Sequence, residues 1–107
     1  MAKSLGIFVT SPQNMRHIMG VTKAALNKGA KVKIFFTWQG VHLTQCPAFK
    51  ELCALDSENL DVSICADSYT VMGYDASIPP AGLDEKKMAT QAQHGAILED
   101  YESYMTL

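Results

Sequence analysis

Three cysteines, Cys46, Cys53 and Cys65, are the side chains of this sequence best suited to nucleophilic chemistry. A cysteine reacts as its thiolate, so its reactivity depends on surroundings that lower the thiol pKa. The spacing between Cys46 and Cys53 is not the Cys-x-x-Cys spacing of dithiol redox motifs and zinc knuckles. With His42 included, the cysteines still show no standard ligand spacing, so we predict no metal site. The odd number of cysteines favours free thiols over a disulfide framework.

Cys65 has the most favourable position for chemistry, because it ends a predicted strand, Leu60–Cys65, and directly precedes the helix that Ala66-Asp67-Ser68 opens. At such a junction, unpaired backbone N–H groups and the positive end of the helix dipole lower a cysteine pKa. The carboxylate of Asp67 opposes this effect and competes for the same amides. The residues alone leave two interpretations open: Cys65 is a reactive thiolate, or it is a buried structural cysteine.

The other two cysteines are weaker candidates for chemistry. Cys53 shares a predicted helix face with Phe49 and Leu52, a spacing typical of core packing. Cys46 lies in the loop before Pro47, where we expect greater exposure. The sequence therefore predicts that any thiol chemistry takes place on Cys65.

Residues that follow the first two predicted strands, together with the first turn after Cys65, are candidates for lining a pocket beside the thiol. They are Ser11, Gln13, Asn14, Thr37, Trp38, Gln39, Gly40, His42, Asp67 and Ser68. Several have a structural alternative, since Ser11 is an N-cap candidate, Gly40 a turn residue and Trp38 a contact for a neighbouring subunit. Gly40 stands alone where a dinucleotide or phosphate loop needs two or three glycines, so we predict no cofactor.

Short apolar segments alternate with helical ones along the chain. The predicted strands are Ser4–Thr10, Lys31–Thr37, Leu60–Cys65, Lys86–Thr90 and Ser103–Leu107. The first predicted helix runs from Ser11-Pro12 to Gly29, and the second begins at Pro47. The third runs from a cap at Asp67 or Ser68 to Met72-Gly73, and the fourth runs from Gln91 to Tyr101. This alternation predicts an α/β protein, a three-layer α/β/α fold with a mostly parallel sheet of about five strands. Ligand sites of such sheets lie outside the carboxyl ends of the strands, where Cys65 also falls.

The length of 107 residues corresponds to one domain, 1–107. A net charge of -2 with a single arginine, Arg16, does not indicate the basic surface that binds a phosphate backbone, so we expect no nucleic-acid partner. The longest apolar runs are about five residues, whereas a membrane span needs about 20. With no recognisable signal peptide at the start, we expect a cytoplasmic location and no membrane contact. Expected exposure of Trp38, Tyr74 and Pro79-Pro80 predicts a homo-oligomer.

Three segments resemble the DsrE/DsrF-like family, which includes the TusD-type sulfur-relay subunits. Lys31–Val41, preceded by Ala24-Ala25 and Gly29, is similar to the second-strand signature of that family. The stretch Leu60–Ala66, followed by Gly73, resembles the segment that carries the sulfur-accepting cysteine. The final residues, Ile97–Leu107, are similar to its last helix and strand.

The resemblance implies an α/β/α subunit that assembles into trimers or hexamers, with copies of itself or with related subunits. It also implies that Cys65 accepts a sulfane sulfur from a donor protein as a persulfide and passes it to an acceptor protein. Many relatives carry an arginine just before the glycine that ends the cysteine's helix, whereas this chain has Met72 there. The family also contains subunits without an active cysteine.

Three hypotheses about function follow from the sequence. In the first, the protein is a sulfur-relay carrier that acts through Cys65. In the second, it is a non-catalytic oligomeric subunit or a small-ligand-binding module in which Cys65 is inert. In the third, the protein is a thiol peroxidase or carries out disulfide chemistry. This chemistry needs a second, resolving cysteine, for which Cys46 is the candidate.

Overall fold

Five strands form one sheet in which every neighbouring pair is parallel. They are β1 (Ser4–Val9), β2 (Lys31–Phe36), β3 (Leu60–Cys65), β4 (Met88–Ala89) and β5 (Ser103–Thr106), in the spatial order β4-β3-β2-β1-β5. This computed structural model describes residues 3–55 and 58–107. The predicted α/β class with a parallel sheet of about five strands is confirmed.

Helical segments connect the strands. The α-helices of the described ranges are α1 (Met15–Asn27), α2 (Pro47–Cys53), α3 (Ala66–Val71) and α4 (Ala92–Asp100), and two 3₁₀ helices cover Trp38–Gln45 and Glu85–Lys87. No helix in residues 3–55 and 58–107 has the length and apolar character needed to cross a membrane. The α2 helix begins at Pro47 as predicted, with the proline at a position whose N–H has no helical partner.

The strand order explains why helices cover both faces of the sheet. From β1 to β4 each new strand is added on the same side, whereas β5 lies beyond β1 on the other side. Crossovers between parallel strands are right-handed. The connection from β4 to β5 crosses the sheet in the opposite direction to the earlier connections, so its helix α4 lies on the opposite face. The buried side chains correspondingly form two separate clusters, one on each face.

Strand alternation divides these two cores. In β2, Ile34 and Phe36 belong to the larger core, while Phe35 between them belongs to the smaller one. The buried residues of the smaller core are Phe8, Phe35, Cys65 and Ile97. Cys65 therefore lies beneath α4, on the face that has the thinner helical layer.

The predicted start of α1 at Ser11-Pro12 is wrong. The helix begins at Met15, and its first bond runs from the Ile18 N–H to the Asn14 carbonyl. Ser11 and Pro12 instead lie in the turn that leads away from β1, where proline has the same preset φ as in a helix. The predicted end is confirmed, since Gly29 adopts φ 79° directly after the C-cap.

The predicted cap of α3 at Asp67 or Ser68 is also wrong. β3 passes into α3 without an intervening loop, so Cys65 is both the last strand residue and the N-cap. Its backbone is extended, at φ -70° and ψ 113°. This direct junction places the Cys65 side chain at the edge of the sheet.

The segment after β2 is helical, whereas the sequence pattern assigned Gly40 only to a turn. It forms the first 3₁₀ helix, which starts with Trp38 at φ 51°, a left-handed conformation that costs a non-glycine residue about 1 kcal/mol or more. Gly40 lies so close to β1 that a Cβ built on it would be 2.1 Å from the Val9 carbonyl oxygen. Glycine is therefore required for this helix to close over the end of the sheet.

We expect Gly40→Ala to lower the free energy of unfolding by about 2 kcal/mol, because the backbone of β1 or of the 3₁₀ helix must move to admit the methyl group. Gly20→Ala is the matched control, since nothing lies within 4 Å of its added Cβ. In the middle of α1 this change should raise stability by roughly 0.5–1 kcal/mol. Urea unfolding measures both, and equal stability of Gly40→Ala and the unmodified protein would contradict the close approach.

Candidate functional site: the thiol cluster around Cys65

The register between β2 and β3 brings Thr37 beside Cys65. Phe36 pairs with Ile64, so the next residue on each strand is Thr37 and Cys65. Both side chains point to the face that carries Phe35, because side chains two residues apart lie on the same side of a strand. Thr37 is buried at 7% exposure and Cys65 at 2%.

Hydrogen bonds join these two residues to Ser68 and Gln91, and we call these four residues the thiol cluster. The Gln91 Nε2 group donates to Cys65 Sγ at 3.4 Å and to Thr37 Oγ1 at 3.0 Å. Thr37 Oγ1 and Ser68 Oγ are 3.2 Å apart. Three elements therefore meet at the sulfur: the end of β2, the first turn of α3 and the start of α4.

The thiol cluster lowers the pKa of Cys65. Burial is the largest single effect and raises the pKa of the thiol, because it penalises the charged form. Against it act the Ser68 hydroxyl and backbone N–H, the Gln91 amide and the Thr37 hydroxyl, which together lower the pKa below its ordinary value. All these donors are neutral, so the thiolate is stabilised without a neighbouring cation.

His94, one helical turn after Gln91, fixes the orientation of the Gln91 amide. His94 Nδ1 lies 3.2 Å from Gln91 Oε1. An amide oxygen only accepts hydrogen bonds, so His94 donates through Nδ1–H and the Gln91 NH₂ group faces the sulfur. The His94 ring rests on Phe8, with the ring centroids 4.0 Å apart.

The thiol cluster contains two of the ten predicted pocket residues, Thr37 and Ser68. Ser11 is half-buried in the turn after β1, Gln13 is exposed there, and Asn14 is the N-cap position of α1 without a capping side-chain bond. Within residues 3–55 and 58–107, no hydrogen bond joins these three residues to Cys65.

The other predicted pocket residues lie around the thiol cluster or away from it. Trp38 and Gln39 are exposed, Gly40 is buried against β1, and Asp67 is exposed in the first turn of α3. His42 is held elsewhere, with its Nδ1 2.7 Å from the Tyr74 hydroxyl. Asp67 therefore does not cap α3.

The remaining cysteines have other surroundings. Cys53 is half-buried against the larger core, as its helix spacing predicts, and burial raises the pKa of its thiol to about 11. Cys46 is half-buried at the N-cap position of α2 and also packs against the larger core. Within the described ranges, no group of three or more His, Cys, Asp or Glu side chains is arranged to hold a metal ion.

Gln91 and His94 are the site residues that the sequence analysis did not identify. The rule that points to the carboxyl ends of parallel strands applies to β4 as well as to β1, β2 and β3. Ala89 of β4 pairs with Cys65, so a polar side chain two residues after Ala89 was in range of the thiol. The short length of β4 hid this relation, because two residues carry no recognisable alternation.

We expect Cys53 to lower the stability of the protein at alkaline pH. Its folded-state pKa is raised, so the unfolded chain loses this proton first and the free energy of unfolding falls as pH rises from about 9 to about 11. Cys53→Ala should show a smaller loss of stability over this window, and Cys46→Ala serves as the control with the other thiols unchanged. Urea unfolding at pH 8 and pH 10.5 measures the difference, and identical losses in all three proteins would contradict the buried thiol.

Comparison of this chain with protein-family models, with curated proteins and with solved structures finds no match. The assignment of a function consequently rests on the geometry of the thiol cluster and on the resemblance seen in the sequence.

Proposed function

We propose that the protein is a sulfur-relay carrier, in which Cys65 accepts a sulfane sulfur as a persulfide and passes it to a partner protein. The observation that carries this proposal is the convergence of the Ser68, Gln91 and Thr37 donors on Cys65 Sγ. A sulfur carrier needs a thiolate that attacks and later leaves, and a lowered pKa favours the thiolate in both steps.

The transfer balances without an added oxidant or reductant. The Cys65 thiolate attacks the outer sulfur of a donor persulfide, a new S–S bond forms at Cys65, and the donor's own S–S bond breaks. The electron pair of the broken bond leaves on the donor thiolate. In the second half, an acceptor thiolate attacks the outer sulfur on Cys65, and Cys65 leaves as the stabilised thiolate.

Neutral donors suit this exchange, because the negative charge moves only from the attacking sulfur to the leaving sulfur and no proton is abstracted from a substrate. The Ser68 and Thr37 hydroxyls, which stabilise the Cys65 thiolate, also stabilise the developing negative charge when Cys65 leaves. In the resembling family an arginine often precedes the glycine that ends the cysteine's helix. Here Met72 occupies that position, and Thr37, Ser68 and Gln91 supply the stabilisation instead.

The resemblance to the DsrE/DsrF-like family supports the same proposal. It places the sulfur-accepting cysteine at Cys65, which lies at the carboxyl end of β3 in a parallel α/β sheet. The proposed chemistry belongs in a reducing compartment such as the cytoplasm, where thiols persist, and all three cysteines are free.

We also propose that the protein acts as an oligomer, a trimer or hexamer of its own copies or with related subunits. Large apolar side chains with at least half of their surface exposed support this: Trp38, Val71, Ile78, Leu98 and Tyr104. Of the other residues expected to be exposed, Tyr74 is half-buried and stacks on Tyr69, Pro79 is half-buried and Pro80 is buried. Trp38 remains the apolar side chain next to Thr37.

The 2% exposure of Cys65 favours the alternative, a non-catalytic subunit or small-ligand-binding module with an inert thiol. Disulfide chemistry with Cys46 has less support, since Cys46 packs against the larger core and Cys65 lies in the smaller one. Loading from a persulfide donor separates the carrier from the module, because only a stabilised thiolate that a donor can reach accepts the sulfur.

Incubated with a persulfide donor, the protein should gain the mass of one sulfur atom per chain, on the peptide that contains Ile64-Cys65-Ala66. Cys65→Ser should gain none, while Cys46→Ser and Cys53→Ala should load like the unmodified protein. Intact-mass and peptide mass spectrometry measure the gain. Loading of Cys65→Ser to the same level would contradict the assignment of the thiol.

Sedimentation at micromolar concentration should give a mass well above the 11.7 kDa of one chain. Trp38→Ser, which replaces the exposed ring beside Thr37, should shift the equilibrium toward the monomer, because burial of an aromatic ring stabilises interfaces. A monomer at every concentration tested would contradict the proposed assembly.

A further inference from the structure

Gln91 lies between the buried sulfur and the solvent. Cys65 is only 2% exposed, whereas Gln91, whose Nε2 group is 3.4 Å from Cys65 Sγ, is an exposed residue. The other hydrogen-bonding side chains at the sulfur are less accessible, since Thr37 is buried and Ser68 is half-buried. Of the side chains that are hydrogen-bonded to the sulfur, that of Gln91 therefore belongs to the residue most exposed to solvent.

The backbone of Gln91 is anchored, so only its side chain is free to move. Gln91 is the N-cap residue of α4, and its carbonyl accepts the N–H groups of His94 and Gly95. The adjacent Thr90 Oγ1 accepts the Ala92 N–H at 3.2 Å. A rotation of the Gln91 side chain would break its hydrogen bonds to Cys65 and Thr37 and leave the backbone hydrogen bonds of α4 in place.

The amide of Gln91 has two different ends, and only one of them suits a thiolate. With Nε2 toward Cys65 the amide donates to the sulfur, whereas the reversed amide would turn the negative end of its dipole, Oε1, toward it. In the tautomer with Nδ1 protonated, His94 lies 3.2 Å from Oε1 and donates to it, which favours the first orientation. The contact of the His94 ring with Phe8 limits the freedom of the ring to turn away.

We infer that Gln91 is a side-chain gate over Cys65 and that His94 is the positioning residue that holds the gate closed, with the amide NH₂ on the sulfur. The inference rests on the proposed role of Cys65 as the reacting thiol. In the closed state the gate stabilises the thiolate and excludes water and small oxidants. A sulfur donor or acceptor cysteine displaces the amide and takes its place at the sulfur, so the gate opens when a partner docks.

The gate is tested by the pH dependence of Cys65 alkylation with iodoacetamide, an uncharged reagent, followed at the Cys65 peptide by mass spectrometry. Each profile gives two quantities: the midpoint, which reports stabilisation of the thiolate, and the limiting rate at high pH, which reports access once the weak rise of thiolate nucleophilicity with pKa is allowed for. We expect Gln91→Ala to raise the limiting rate about fivefold, the factor that corresponds to one neutral hydrogen bond of about 1 kcal/mol. Its midpoint should move to higher pH, because one donor to the sulfur is lost.

Variants at His94 test the positioning role. His94→Ala should shift the rate and midpoint in the same directions as Gln91→Ala, whereas His94→Asn should stay close to the unmodified protein. The asparagine amide reaches the position of Nδ1 and keeps a donor there. His17→Asn, at an exposed position on α1, is the control for the loss of a histidine. Equal effects of His94→Ala and His94→Asn would overturn the positioning role, since a structural role alone predicts no rescue.

Two outcomes separate the gate from the proposed function. If Gln91→Ala leaves the limiting rate unchanged while the unmodified protein loads sulfur, the gate is overturned and the carrier function stands. If Gln91→Ala raises the rate and the midpoint while no protein loads sulfur, the gate stands and the carrier function fails. A shift of the midpoint without any change in rate also overturns the gate, because Gln91 would then be a donor and not a cover.

Discussion

The parallel register of β2 and β3 is the constraint on which the rest of the site depends. Because Phe36 pairs with Ile64, Thr37 and Cys65 leave the sheet side by side and on the same face. Hydrogen bonding of main-chain groups fixes this register along the whole length of both strands. A shift by one residue would turn Cys65 toward the larger core and separate it from the start of α4.

The thiol cluster shows how a small domain stabilises a buried thiolate without a charged partner. Burial alone would keep Cys65 protonated, as burial raises the pKa of Cys53 to about 11. Cys65 is buried among polar groups that have hydrogens to donate, and their combined effect outweighs the loss of solvation. Burial raises the pKa of both thiols, and Cys65 differs in having hydrogen-bond donors that act on its sulfur.

Local sequence patterns predicted those features that depend on local chemistry. β3 has its predicted bounds, and the strand-end rule led to Cys65 and Thr37. The start of α1 was misplaced because Pro12 suits a turn as well as a helix. Gln91 was missed because its contact with Cys65 spans 26 residues and depends on β4, a strand too short to show a pattern.

The most direct test of this account is the titration of Cys65 as the sole cysteine, in a protein that carries Cys46→Ser and Cys53→Ala, by the ultraviolet absorbance of the thiolate. The same chain unfolded in urea gives the reference, and Thr37→Val removes one hydroxyl while keeping the shape of the side chain. We expect Cys65 of the folded protein to titrate below the unfolded reference and Thr37→Val to move it upward. A folded-state midpoint at or above the unfolded reference would contradict the stabilised thiolate.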